Sequence, residues 1–319
     1  MENLNFLLLQ ISLYMRRTFL TGFMALGLCV GITSCGDTPS SVSKSSIESY
    51  TSGSIDIAAD ESFKPVIVQE AKVFDSSYPE AKLNISYLPE NECLTQLFEG
   101  KVQMVFATRP LTKDEIKICE SNNIFTKDMV IAKDGIVVVV NNKSQDNKMT
   151  VGMVQSILTG KFARKYNVVL DNQNGSIARF ISDSVLRGEK LSEQVFAVKN
   201  SEEVIKYVSE HENAIGFVGM THAFDPQANE GYGTFRKDVQ VVSIHNDSLN
   251  KFILPYQASI AFREYPFVRR LYFITRIESN LASGFANFLT AEPGQLIINK
   301  ARMLPLTVPL EFRDAEIKP

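Results

Sequence analysis

The stretch SIDIAADESFKPVIVQEAKVF, residues 54–74, decides the fold. Residues 54–59 have the pattern of a short strand, and apolar residues then recur at helical spacing, at positions 63, 66, 67, 71 and 74. Ser62 is a good N-cap for that helix, and Pro65 lies in its first turn, where proline is tolerated. The stretch therefore predicts a strand that leads directly into a helix.

The same order of strand and helix continues outward from this stretch. Further strands are predicted at 83–88, 102–107, 135–141, 168–170, 214–218, 255–262 and 271–275. Helices are predicted from 91, after the turn at 89–91, to Gly100, and at 151–158, 177–186, 202–210, 285–289 and 295–300. Strands that are separated by helices indicate parallel pairing in an α/β layer. We predict two α/β sandwich lobes joined by a two-strand hinge: residues 53–140 with 255–319 form lobe 1, and residues 141–254 form lobe 2.

Composition sets the broad class. The chain has 319 residues, of which 45% are hydrophobic and 22% are charged, and this excludes a collagen-like, disordered or polytopic membrane protein. With 33 basic against 36 acidic residues, the net charge of −3 gives no indication of a nucleic-acid partner.

The N-terminus predicts export. Met15 and two arginines precede an apolar run at 18–33, which is too short to span a bilayer comfortably. Ile-Thr-Ser-Cys35 follows and resembles a bacterial lipobox, so we interpret residues 1–34 as a signal peptide, with Met15 as an alternative start, and Cys35 as the site of lipid attachment. Residues 35–52 form a flexible tether, and the basic pair argues against the alternative, an uncleaved signal anchor. The sequence leaves open whether Cys93 and Cys119 form a disulfide.

Three strand-to-helix turns suggest a ligand site. Ser62-Phe63, Asn91-Glu92 and Asn174-Gly175-Ser176 each place a capping side chain and free backbone N–H groups at the carboxyl edge of a strand. Helix starts that face one cleft would suit a small tetrahedral anion. The alternative for each turn alone is ordinary capping.

These turns belong to a wider resemblance. The chain resembles the phosphate-binding component of phosphate ABC transporters, which are type II periplasmic binding proteins, over most of residues 53–310. The motifs that carry the resemblance are Ala-Asp-Glu-Ser62-Phe63, the run from Phe98 to Glu115, Ile157–Lys161, Asn174–Ser176, Ala214–Gly219, and the tail from Gly284 to Gln295 and on to Leu304-Pro305. The tail is the most specific motif, and it is similar to the lipoprotein branch of the family.

The resemblance implies that two lobes close on phosphate or a related oxyanion and deliver it to an ABC permease from the periplasmic face of a bacterial membrane. It implies a monomer that is no enzyme and that uses no cofactor. The implied ligand-binding residues are Ser62, Phe63, Asn91, Thr108, Arg109, Asn174, Gly175 and Ser176.

Two departures from the family pattern leave the ligand open. Thr108 stands where the family usually has an Asp that accepts the proton of phosphate, and Leu170 stands where it usually has an Arg. Arg109 or Arg179 could supply the missing charge, and Asp60 or Glu61 could supply the missing acceptor. The alternative function is a lipoprotein with a degenerate site that acts as a sensory or protein-interaction module.

Catalysis has no support in the sequence. His211, His222 and His245 lack the spacing of a zinc site, and Cys93 has no motif that would place a base beside it. The sequence contains no P-loop, GxGxxG or serine-nucleophile motif. We therefore predict neither a catalytic nor a metal site.

Overall fold

A computed structural model describes residues 48–225 and 234–306. The signal peptide, Cys35 and most of the tether lie outside this range. Among the described residues, no helix is long and apolar enough to cross a membrane.

The chain begins as predicted, with a strand that leads into a helix. Strand β1 (Gly53–Asp60) ends in a 3-10 turn (Glu61–Phe63), and α1 (Lys64–Ser77) follows without a break. The prediction that Ser62 is the N-cap is wrong. The cap is Asp60, whose carboxylate accepts the backbone N–H of Ser62, because a shorter 3-10 turn precedes the helix and shifts the free N–H groups forward.

Lobe 1 is built on parallel strands. Strand β1 lies between β2 (Ala81–Leu88) and β3 (Met104–Ala107), and it pairs in parallel with both. The connecting helices are α2 (Glu90–Phe98), after β2, and α3 (Lys113–Ser121), after β3. Two apolar cores cover the faces of these strands, one of them centred on Phe63, Phe74 and Phe285 and the other on Leu94 and Leu97.

Strand β4 (Thr126–Asn141) connects the two lobes. Its residues 126–135 pair with β12 (Val268–Arg276), and residues 136–140 pair with β8 (Ala214–Gly219). The pairing partner of β4 therefore changes within the strand, between Gly135 and Ile136. The lobe limits given by the sequence, 140/141 and 254/255, stay predictions.

Lobe 2 packs around the Val-rich half of β4, whose residues 136–140 are fully buried. Its elements, in chain order, are β5 (Lys148–Met149), α4 (Val151–Leu158), β6 (Asn167–Leu170), α5 (Ser176–Phe180), a π-helical segment (Ile181–Leu186), β7 (Val195–Ala197), α6 (Ser201–Glu210), β8, α7 (Met220–Ala223), β9 (Val239–Val241), β10 (Ser243–Asn246), β11 (Lys251–Ile253) and α8 (Gln257–Ala261).

The chain then returns to lobe 1 through β12, which runs antiparallel to both β3 and β4. Helices α9 (Asn280–Thr290) and α10 (Glu292–Lys300) pack against α1, and β13 (Leu304–Pro305) pairs with β4. The main sheet has the order β2-β1-β3-β12-β4-β8-β6-β7, and β9 and β13 also pair with β4. Strands β11, β10 and β5 form a small separate sheet.

One predicted strand is wrong. Residues 255–262 contain α8, whose first turn is closed by Ser259: its hydroxyl accepts the N–H of Tyr256 and donates to the carbonyl of Leu254. A short apolar run does not distinguish a strand from a helix by its period. Cys93 and Cys119 are both buried free thiols.

Candidate functional site

Two of the predicted ligand residues meet between the lobes. Ser62 lies in the turn after β1 in lobe 1, and Ser176 opens α5 in lobe 2. Both side chains are buried, and their hydroxyl oxygens lie 3.4 Å apart. The turns that follow β1 and β6 therefore converge on one point, as their place at the carboxyl ends of parallel strands predicts.

Asp60 accepts hydrogen bonds from both serines at this point. It is the last residue of β1 and is buried. One carboxylate oxygen accepts the N–H of Ser62 at 3.1 Å and also its hydroxyl, while the other accepts the N–H of Ser176 at 3.2 Å. Burial raises the pKa of Asp60, although nearby Arg269 acts to lower it.

Arg269 supplies the positive charge of the site. This buried β12 residue donates from Nη1 to the Ser176 hydroxyl at 2.5 Å and from Nη2 to the Ser62 hydroxyl at 3.0 Å. Its guanidinium carbon lies 4.4 Å from the centre of the Phe63 ring, a cation–π contact. The predicted role of Phe63 in the site therefore includes a contact that sequence reasoning did not foresee.

Asp134 pairs with Arg269. The two residues lie directly opposite each other in the β4–β12 ladder, and Nε of Arg269 donates to Asp134 at 2.8 Å. The second carboxylate oxygen accepts the N–H of Met220 in lobe 2 at 3.1 Å. Asp134 thus links the crossing strand to the start of α7.

Sequence reasoning missed this pair, although a signal was present. The pair Lys133-Asp134 separates the apolar residues 130–132 of β4 from its Val-rich half, and the pair Arg269-Arg270 precedes the apolar run of β12. A charge within a strand that is apolar on both sides needs a buried partner. When two strands pair and each carries a buried charge of opposite sign, each charge predicts the other as its partner.

A second carboxylate cluster joins the lobes. Glu90, which is fully buried in lobe 1, accepts the backbone N–H of Thr108 at 2.5 Å and its hydroxyl at 2.6 Å. Nε of Arg179, in lobe 2, donates to Glu90 at 2.6 Å, and the Arg179 guanidinium also contacts the Thr108 hydroxyl. Burial alone would raise the pKa of Glu90, but the hydrogen bonds and charge of Arg179 outweigh it, so the pKa is lowered.

The other predicted ligand residues are not brought to Ser62 and Ser176 by their side chains. Arg109 is half-buried and forms a two-pronged ion pair with Glu115, at 2.6 and 2.7 Å. Asn91 and Asn174 are exposed, and the capping role expected of Asn91 is wrong because α2 begins one residue earlier, after Pro89. Gly175 precedes Ser176 and is buried.

A cavity of about 80 Å³ adjoins Asp60 and Ser62. Asp171 lines it from lobe 2; its Oδ2 accepts the Ser201 hydroxyl, while Oδ1 has no hydrogen-bond partner among the described residues. Burial, reinforced by the nearby Asp60 carboxylate, raises the pKa of Asp171 to about 7. The rest of the lining consists of Glu61, Tyr87, Leu88, Pro89, Asn172, Gly175 and Lys199.

No metal centre is formed by the described parts of the chain: they contain no cluster of three or more His, Cys, Asp or Glu side chains arranged to hold an ion. His222 is buried beside Glu202, and His245 bonds to Asp247.

Residues 44–293 match a sequence family described as a PBP superfamily domain. The chain belongs to the PBP superfamily. This is a family of solute-binding proteins and not of enzymes.

Several proteins that are similar to this chain are named for phosphate. The phosphate-binding protein PstS of Staphylococcus aureus is 20% identical over 217 residues, and the match spans 64% of this chain and 64% of the length of that relative. A phosphate ABC transporter substrate-binding protein from Clostridium perfringens, solved with bound phosphate, superposes with a TM-score of 0.67 at 20% identity, over 80% of this chain and all of that one. An ABC-type phosphate transport receptor from Vibrio cholerae superposes with a TM-score of 0.61 at 16% identity, over 78% of this chain and 99% of that one. At these identities the structural likeness confirms the two-lobed α/β fold.

The two departures from the family pattern now have structural counterparts. Leu170 is buried in the apolar core of lobe 2, so it supplies no charge, and Arg269 brings a guanidinium to the cleft from lobe 1 instead. Thr108 offers its N–H and hydroxyl to Glu90, not to Ser62 or Ser176. The cleft of this PBP superfamily chain therefore combines the donor turns of Ser62 and Ser176 with the charges of Asp60, Asp134 and Arg269.

Proposed function

We propose that this protein is an extracytoplasmic solute-binding protein, acting as a monomer, that captures phosphate or a similar oxyanion between its lobes for an ABC-type permease. The observation that carries the proposal is the convergence of Ser62, Ser176 and Arg269. Hydroxyl groups from opposite lobes meet one guanidinium in a buried cleft. Guanidinium, hydroxyl and backbone N–H groups are the donors that hold tetrahedral oxyanions. The phosphate-binding relatives support the same class of ligand.

The arrangement suits capture by closure of the lobes. An oxyanion at this point would be held by Ser62 from lobe 1 and by Ser176 from lobe 2, so the ligand itself would hold the lobes together. Strands β4 and β12 carry the chain between the lobes and are the natural hinge. Closure excludes water from the cleft, which strengthens each hydrogen bond to the anion.

The thermal stability of the purified protein in the presence of phosphate, sulfate and molybdate tests this function. A ligand present at one hundred times its dissociation constant stabilises the native state by about 2.7 kcal/mol. We expect at least one of these anions to raise the melting temperature, and the Ser62→Ala/Ser176→Ala double variant to lose the shift. The exposed pair Ser76→Ala/Ser77→Ala is the matched control, because these hydroxyls bond only to carbonyls of their own helix. If the protein responds to none of the anions, the transport function is wrong.

We also propose that a lipid on Cys35 holds the protein at the periplasmic face of a bacterial membrane, after removal of residues 1–34. The order of basic, apolar and small residues before Cys35 supports this. Metabolic labelling with a fatty acid should mark the wild type and leave Cys35→Ser unlabelled. Cys93→Ser, which removes a buried thiol, is the control. Equal labelling of all three would rule out the anchor.

A second function is favoured by one specific observation. The carboxylates of Asp60 and Glu90 already accept N–H and hydroxyl groups that the resemblance assigned to the anion. If these contacts are permanent, the cleft has no free donors, and the protein is a sensory or protein-interaction module on the same scaffold. The melting experiment separates the two functions, because such a module would not respond to any of the anions.

A further inference from the structure

We propose that Asp60 is an internal competitor of the ligand: its carboxylate occupies the donors that would hold an oxyanion, and an anion binds by displacing it. This inference rests on the function proposed above. It assigns Asp60 a role opposite to the one expected from the sequence, where Asp60 was a candidate acceptor for a proton of the ligand.

The hydrogen bonds of Asp60 are the first observation that supports competition with an anion. A backbone N–H has one hydrogen to donate, and those of Ser62 and Ser176 are directed at the two oxygens of Asp60, at 3.1 and 3.2 Å. The Ser62 hydroxyl also donates to Asp60. A carboxylate is thus bound in the way an oxyanion would be, by groups from both lobes. The same donors cannot serve a second anion until Asp60 leaves them.

The charges of the site are the second observation that supports it. Arg269 is the cation that contacts both serines, and it is shared between Asp60 and the directly paired Asp134. Asp171 and Glu90 add further negative charge from the neighbouring elements, and Glu61 lies next to Asp60 in the chain. An anion that entered beside an ionised Asp60 would meet strong repulsion. Displacement of Asp60, or its neutralisation, removes both obstacles at once.

The burial of Asp60 favours the protonated, uncharged form of its carboxyl group. Burial raises its pKa, and Arg269 together with the serine donors opposes this only in part. A protonated Asp60 is a weaker acceptor for the N–H groups, so acid should release the donors. Sulfate keeps the same charge between pH 5 and pH 8, which separates the titration of the protein from that of the ligand. Asp171, which lines the same cavity and has a pKa of about 7, also loses its charge as the pH falls. Both carboxylates act in the same direction, and we therefore expect sulfate to bind the wild type more tightly at pH 5 than at pH 8.

Isothermal titration of the full-length protein with sulfate and with phosphate tests the proposal. Asp60→Asn keeps the size of the side chain and its cap on Ser62, but it places an amide where Ser176 donates. We expect this variant to bind about tenfold more tightly at pH 8 than the wild type, since it no longer offers a charged competitor. Its pH dependence for sulfate should be smaller than that of the wild type, because Asp171, with a pKa of about 7, is then the carboxylate of the cavity that still titrates in this range. Asp60→Ala provides a second variant, and circular dichroism checks that both are folded.

Asp56→Asn is the matched control. Asp56 lies on the same strand with its side chain exposed, so the substitution removes one charge without touching the cleft. Its affinity should stay within about twofold of the wild type, because exposed charges are screened.

The outcomes separate this inference from the proposed function. Binding by the wild type, with tighter binding by both Asp60 variants, supports competition. If the wild type binds phosphate and the Asp60 variants bind it more weakly or equally, the inference is overturned while the transport function stands. If neither the wild type nor the variants bind any of these anions, the proposed function fails, and the competitor fails with it.

Discussion

Asp60 and Glu90 form a natural comparison. Each is a buried carboxylate of lobe 1 that accepts hydrogen bonds from lobe 2. Glu90 has Arg179 as a direct ionic partner, at 2.6 Å, whereas the direct donors to Asp60 are neutral and its nearby cation, Arg269, is already paired with Asp134. The pKa of Glu90 is lowered, and that of Asp60 is raised.

The difference shows that burial alone does not decide the charge of a carboxylate. Burial raises the pKa of both groups, and a dedicated cation reverses the direction for Glu90. We infer that Glu90 and Arg179 form a strong ionic contact that holds the lobes in the arrangement described here, and we call it the fixed contact. Asp60, by contrast, is held by donors that would serve a ligand equally well, so it is the exchangeable one of the two.

The largest effect is expected when the shared cation is removed. Arg269→Met leaves Asp60 and Asp134 buried without compensation, and we expect it to lower the free energy of unfolding by about 3–5 kcal/mol. Urea denaturation measures this. Arg270→Met, which changes an exposed neighbour, should cost less than about 0.5 kcal/mol. Adding Asp134→Asn to Arg269→Met should recover part of the loss. If Arg269→Met is as stable as Arg270→Met, the cluster does not depend on its cation.

That cluster also marks the limit of what the sequence could predict. The strand-to-helix units were predictable because each depends on local spacing, as the helix at Val151–Leu158 shows with both ends as predicted. The meeting of Ser62 and Ser176 was predictable because each follows the carboxyl end of a strand that has parallel neighbours in its own lobe, and ligands bind outside such ends. Both inferences need only short stretches of chain.

The charges of the site required information that is not local. Arg269 faces Asp134 only because β12 pairs with β4 in one register, across 135 residues of sequence. Glu90 reaches Arg179 only when the lobes come together, across 89 residues. Sequence spacing contains neither the register nor the lobe contact. This explains why the sequence indicates Arg109 and Arg179 as candidate charges and does not indicate Arg269.

The next largest effect concerns the fixed contact. Arg179→Met leaves Glu90 buried with only Thr108 as a partner, and we expect it to destabilise the protein by roughly 2–4 kcal/mol. Glu90→Gln should restore part of this in the double variant, giving a coupling energy of about 1–3 kcal/mol in a double-mutant cycle. The exposed pair Lys161 and Glu189 provides a control cycle, where the coupling should stay below about 1 kcal/mol. Equal couplings in the two cycles would contradict a fixed contact between the lobes.

A third buried carboxylate extends the comparison to a group without any partner. Glu70 of α1 is 1% exposed, neither oxygen has a hydrogen-bond partner among the described residues, and burial raises its pKa to about 9. Its folded-state pKa lies above the unfolded value, so the wild type loses stability as pH rises from 4.5 towards 9. We expect Glu70→Met to stabilise the protein by roughly 2 kcal/mol at pH 7.5 and by much less at pH 4.5. Denaturation of both proteins at the two pH values measures this. A gain that is the same at both would show that the pKa of Glu70 does not differ between the folded and the unfolded state.

The smallest effect is the change of stability with pH, which should have opposite signs for the Glu90 and the Asp60 variants. Glu90 has a lowered folded-state pKa, so its stabilising contribution is present above 4.5 and is lost as pH falls through the lower folded value. The folded-state pKa of Asp60 is raised, so ionisation of Asp60 destabilises the protein increasingly as the pH rises above 3.8. Relative to the wild type, Glu90→Gln should therefore lose stability as pH rises, while Asp60→Asn should gain it. Both changes should be on the order of 1 kcal/mol in urea denaturation at several pH values, with Asp56→Asn as the flat reference. Curves of the same sign for the two variants would mean that Asp60 is as firmly paired as Glu90, and the cleft would then have no exchangeable carboxylate.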